Sequence, residues 1–200
     1  MSKTNSASNR KAITKLVTTA ILLALVILLQ TVGSGIKLGA VSISLVLIPI
    51  VIAGIFVGKA GASFIGFVFG LIVLIAGIIG ADGFTHILFE NNPVITTLIC
   101  TVKGTAAGFV SAWLYEIISK RNKYAAVFVA SAAAPIVNTG LFIIGSLFLK
   151  DTISAKFVAE GTTFFYFLFI GCAGFNFIAE LIVNMIFAPA VYRISQAFKK

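Results

Sequence analysis

The sequence predicts an all-α integral membrane protein, a six-transmembrane-helix bundle with both termini on the cytoplasmic side. Three observations carry this expectation. Apolar residues make up 60% of the 200 positions and charged residues only 10%, against about 45–50% and about 25% in soluble domains. Fifteen basic and six acidic side chains cannot cover a water-exposed surface of this size, so most of the surface faces lipid. The apolar residues also fall into runs close to the about 20 that a helix needs to cross the hydrocarbon core, and the basic clusters lie between those runs.

Taken in order, the spans are predicted at about 14–33, 42–58, 60–80, 93–119, 124–149 and 163–192. The polar stretch from Ser2 to Arg10 makes residues 1–13 a disordered cytoplasmic tail, and residues 14–200 form one membrane domain. The run Leu16–Val32 is too long for the apolar core of a signal peptide, and no small-x-small cleavage site follows it. Span 2 is short and carries Pro49, which predicts a kink and freed backbone groups. Gly58-Lys59-Ala60 allows only a tight turn, so spans 2 and 3 form an antiparallel hairpin. Asn91-Asn92-Pro93 opens span 4, with proline in the first turn, where its missing N–H costs nothing.

Orientation follows from the loops. The N-terminal cluster (Lys3, Arg10, Lys11, Lys15), Lys59, the Lys120–Lys123 turn and the C-terminal Arg193, Lys199 and Lys200 share one side. The opposite loops, Gly33–Val41, Gly80–Asn92 and Lys150–Thr162, hold Asp82, Glu90, Asp151 and Glu160. Six spans with both ends inside satisfy the excess of Lys and Arg on the cytoplasmic side at every loop.

Several function classes are excluded. The net charge of +9 sits in juxtamembrane clusters, not over a nucleic-acid-binding face. Cys100, Cys172 and the lone His86 form no metal-ligand motif, and no cofactor is expected in this chain. Nucleophile-elbow and zinc-hydrolase motifs are missing. Gly54–Ala60 resembles a phosphate-binding loop only superficially, being one residue short and ending in Ala. The chain is not expected to be an enzyme or to hydrolyse ATP itself.

Small residues spaced by four recur: Ala62, Gly66 and Gly70; Gly54 and Gly58; Gly104 and Gly108; Ala20 and Ala24. Such stripes let helix backbones approach closely in lipid. Those in spans 2 to 4 are expected to pack inside the bundle, whereas Ala20 and Ala24 leave a groove that is either internal or docks a second membrane protein. Ionisable groups inside spans are rare and usually functional. Lys103 lies ten residues into span 4 and Glu180 well within span 6, which predicts an ion pair, an anion-binding ammonium, or both. Asn92, Asn138, Thr139 and Asn176, with Asn184, suggest a pocket for a polar small molecule in the outer half. The loop Asp82–Glu90, with Phe84, His86 and Phe89, is placed to close over it, and His86 is included among the candidate ligand contacts.

These residues together resemble the substrate-binding S component of an energy-coupling factor (ECF) vitamin transporter. The features that carry the resemblance are six spans in 200 residues, Ala20-x-x-x-Ala24, the tight basic turn after span 2, Asn92-Pro93, Lys103, Asn138-Thr139 and Asn176…Glu180. Many relatives have Pro-Arg where this chain has Val102-Lys103. The resemblance implies a high-affinity vitamin-binding subunit in a prokaryotic plasma membrane. Through Ala20 and Ala24 it would bind a membrane scaffold (T) subunit and, through that, two ATPase subunits. The pantothenate type is the expected subfamily, with folate or riboflavin types and a stand-alone carrier as alternatives.

Overall fold

A helix satisfies every backbone hydrogen bond within one segment, so each long apolar run becomes helical in lipid. The computed structural model describes residues 2–33, 37–38, 41–42 and 45–197. The first helix, α1 (Ser2–Gly33), contains a candidate span over Ala12–Gly33. Three further helices are long and apolar enough to cross a membrane: α3 (Lys59–Ile78), α5 (Pro93–Ile118) and α6 (Lys123–Leu147). The fifth candidate, Phe164–Ala197, is composite. It consists of α8 (Phe164–Tyr166), a π-helical stretch (Phe167–Gly174) and α9 (Phe175–Ala197). Between the longer helices lie the ten-residue apolar α2 (Leu47–Phe56) and the short helices α4 (Gly83–Asn91) and α7 (Lys150–Phe157).

The structure corrects the sequence reading at several points. Residues 2–13, expected to be a disordered tail, continue α1 as helix; no Gly or Pro interrupts Ser2–Val32. Of span 2, expected over 42–58, Leu47–Phe56 is helix and Ser42 belongs instead to a two-residue antiparallel ladder, Val41–Ser42 (β2) with Lys37–Leu38 (β1); residues 43 and 44 lie outside the described residues. Pro49 is the third residue of α2, where an N–H has no intrahelical partner anyway, so it starts the helix without kinking it. The supposed loops after α3 and α6 are largely α4 and α7, which bury Phe84, Thr85 and Leu88, and Ile153, against the bundle. Residues 34–36 and 39–40 of the expected loop Gly33–Val41, and the terminal Lys199 and Lys200, lie outside the described residues.

Two features set the architecture. The first is the seam between α3 and α5, where Ala62, Gly66 and Gly70 lie opposite Gly108, Gly104 and Cys100. A Cβ added to Gly66 would run into the Gly104 carbonyl, and one on Gly104 into that of Gly66. Backbone touches backbone here, as the small-residue stripes require. The second is the α2–α3 reversal, made by Val57 and Gly58, with Gly58 at φ 101°, a left-handed conformation open mainly to glycine. By contrast α1 is loosely held. Leu22, Val26 and Gln30, one per turn, are buried, while Ile21, Leu25 and Leu28 are exposed.

Candidate functional site

At the head of α5 the Asn92 side-chain oxygen accepts a hydrogen bond from the Ile95 N–H at 3.1 Å, and Pro93 takes the first helical position. That oxygen is therefore committed to capping the helix. Ten residues further on, about 15 Å along the axis, Lys103 extends from α5 over α6. Its ammonium lies 5.4 Å from the centroid of the Phe142 ring, within the range of a cation–π contact. From Phe142 an aromatic chain runs to Phe84 of α4 (6.0 Å), on to Phe157 of α7 (4.8 Å) and then to Phe167 of the π-helical stretch (6.1 Å, interplanar 15°). The two short helices are thus packed down onto the face of α6 that Lys103 reaches.

On α6, Asn138, Phe142 and Ser146 follow one another at intervals of four and share that face. Asn138, Thr139 and Ser146 are buried. Neither Asn138 Oδ1 nor Ser146 Oγ has a hydrogen-bond partner among the described residues. On α9, which packs along α6, the same spacing aligns Asn176, Glu180 and Asn184, all buried. Asn176 Nδ2 donates to Glu180 Oε1 at 3.2 Å and Asn184 Nδ2 donates to the Glu180 carbonyl at 2.8 Å. Asn176 Oδ1, like the two α6 atoms, has no donor among the described residues. A buried acceptor left without a donor costs about 1–3 kcal/mol. Three such atoms on two adjoining helices suit a guest that brings its own N–H and O–H groups. The π-helical stretch ends just before Asn176; such turns shift helical phase and often occur at functional sites.

The remaining candidates are placed elsewhere. His86 sits at the α3–α4 corner, where its Nδ1 donates to the Gly77 carbonyl at 2.8 Å and its Nε2 lies 3.4 Å from Glu90. Its Nδ1 is thereby committed to the α3–α4 corner. Lys103 and Glu180, which the sequence left as an ion pair, an anion-binding ammonium or both, each have a neighbour on their own side: Phe142 for the lysine and Asn176 for the carboxylate. Ala20 and Ala24 are exposed on α1, on the side away from Leu22 and Val26. Sequence reading missed Phe142 and Ser146. Their four-residue spacing from Asn138 was the available signal. A groove of about 390 Å³ follows the α5–α6 seam past Lys103, but exposed Leu98, Val102 and Phe148 line it, so it opens towards lipid.

With five candidate spans, a lysine within one of them and buried acceptors without donors among the described residues, the arrangement is that of a multi-pass membrane protein with polar groups in its interior. A sequence model of the family described as ECF transporter, substrate-specific component, matches residues 14–192. The chain belongs to this family. Comparison with curated protein sequences gives no significant match. Family membership makes the chain a transport subunit and not an enzyme, with a small-molecule substrate and association with the T and ATPase subunits of the ECF module.

Proposed function

We propose that this substrate-specific component binds a vitamin, pantothenate, for ATP-driven import across a prokaryotic plasma membrane. The observation that carries the reading is the set of buried acceptors without donors, Asn138 Oδ1, Ser146 Oγ and Asn176 Oδ1, together with the Lys103 ammonium, which reaches Phe142, midway between Asn138 and Ser146 in the sequence of α6. Pantothenate offers two hydroxyls and an amide N–H as donors, and one carboxylate for the ammonium. Asn138 and Ser146 are eight residues apart, about 12 Å along α6, a spacing that suits an extended ligand better than a compact one. Thr139 adds a hydroxyl on the same part of α6, and Phe84 of α4, itself against Phe157 of α7, packs on Phe142 of the same helix.

In this reading the chain crosses six times, α2 completing the second crossing, with both termini cytoplasmic. The basic clusters on one side and the acidic residues on the other support it. The T subunit docks on the exposed face of α1 that bears Ala20 and Ala24. Equilibrium binding of labelled pantothenate, riboflavin and folate to the purified chain is the test. Pantothenate is expected to bind most tightly of the three. An absence of pantothenate binding below the millimolar range refutes the assignment.

A further inference from the structure

A second cleft lies far from Asn138 and Asn176, where α5 ends and α3 begins. It measures about 290 Å³ and is lined by Lys15 of α1, by Gly58 of the α2–α3 reversal and Lys59 at the start of α3, and by Tyr115 and Glu116 of α5 with Ser119 just after it. Its shape has two causes. Gly54 approaches Ala112 so closely that a Cβ would lie 2.9 Å from the alanine's own, which lets α2 sink onto α5. Gly58 then turns the chain so sharply that Lys59 stands over α5, where its ammonium meets Glu116 at 3.0 Å. Lys15 precedes the buried Leu22 by seven residues, two helical turns, and so shares its side of α1. Ala20 and Ala24 lie on the other side.

The electrostatics favour an anion. Two lysines against one glutamate leave the lining net positive, and Lys120 and Arg121 follow directly after the α5 terminus. The depth is also defined. Lys59 and Ile118 are the ends of two candidate spans, so the cleft sits at the boundary between hydrocarbon and headgroups. Basic pockets between membrane helices at this level suit lipid headgroups.

We propose that this cleft binds the headgroup phosphate of an anionic membrane phospholipid, held by Lys15 and Lys59. The acyl chains stay in the bilayer alongside α1 and α5. Because Lys15 faces away from Ala20 and Ala24, a lipid here leaves that face of α1 clear. The site is independent of the vitamin assignment.

The test uses the full chain purified in detergent, mixed with phosphatidylglycerol or phosphatidylcholine, and counts retained lipid by native mass spectrometry. The wild type is expected to keep phosphatidylglycerol in preference to phosphatidylcholine. Lys15→Gln and Lys59→Gln should each lower that retention about fivefold. Glu116→Gln should raise it, and since an exposed ion pair contributes little to stability, this variant folds and tests the idea in the opposite direction. Arg193→Gln, on α9, should leave retention unchanged. Equal retention of the two lipids, or undiminished retention in the lysine variants, overturns the proposal. So does displacement of phosphatidylglycerol by inorganic phosphate at matched concentration, which makes the cleft a phosphate site instead.

Discussion

Replacing Lys103 by methionine keeps an unbranched chain of similar length and removes only the charge. Two quantities then move in different directions. In the ligand-free protein, the ammonium gains from the Phe142 ring at 5.4 Å, near the outer limit of a cation–π contact and so worth about 0.5–1 kcal/mol. Against that stands the cost of a lysine near the middle of a membrane helix, about 2.5–3.5 kcal/mol on the insertion scale. The cost outweighs the gain. Lys103→Met should therefore leave the melting temperature of the ligand-free chain unchanged or raise it. If the ammonium meets the ligand's carboxylate, the same change removes a charged hydrogen bond worth about 1.5–3 kcal/mol, and affinity falls roughly 13- to 160-fold. Thermal unfolding in detergent and equilibrium binding read the two effects separately. Greater stability with poorer binding is the signature of a functional group retained against its own folding cost. A lower melting temperature with affinity within threefold of wild type would refute the reasoning and make Lys103 a strut for α6.

Two further outcomes follow from the packing. Gly66→Ala drives a methyl group into the Gly104 carbonyl, which cannot rotate away, and should cost about 1–3 kcal/mol, a fall of roughly 2–12 °C in melting temperature. Gly140→Ala meets nothing within 4 Å and should stabilise α6 by about 0.5–1 kcal/mol; a Gly66→Ala protein as stable as Gly140→Ala would contradict the backbone contact. Ala20→Trp with Ala24→Trp should leave substrate binding by the isolated chain within about threefold, roughly 0.65 kcal/mol, because neither residue is buried. The same double change should abolish ATP-dependent uptake by the assembled transporter, and normal uptake would remove Ala20 and Ala24 from the docking face.

What could be read from the sequence was local. Asn92-Pro93 announced the head of α5 because capping needs only four consecutive residues. The stripes Ala62-Gly66-Gly70 and Gly104-Gly108 announced the seam because membrane helices leave few other uses for aligned small residues. The short helices α4 and α7 escaped because two turns carry too little periodicity, and because their burial depends on Phe84 and Phe157 finding each other. The start of α2 escaped for a related reason: Ser42, at the head of a largely apolar run, pairs instead with Lys37. In the site, the polar residues were visible singly. Which of them lack partners was not, since that depends on how α6, α9 and the π-helical stretch are phased against one another.

The α3–α5 seam also bears on mechanics. Two packed helices normally slide or tilt by exchanging side-chain rotamers at their interface. Where carbonyls of one rest on α-carbons of the other, as at Gly66 and Gly104, there are no rotamers to exchange. The pair should behave as a single stiff plate, carrying Gly58 at one edge and Asn92 at the other. Movement in a transport cycle then concentrates at contacts made by side chains alone. Among these are Leu22, Val26 and Gln30, with Leu29 beside them, that attach α1, and the phenylalanines that fasten α4 and α7 over α6. Docking and site closure would thus act at two compliant joints on a shared rigid frame.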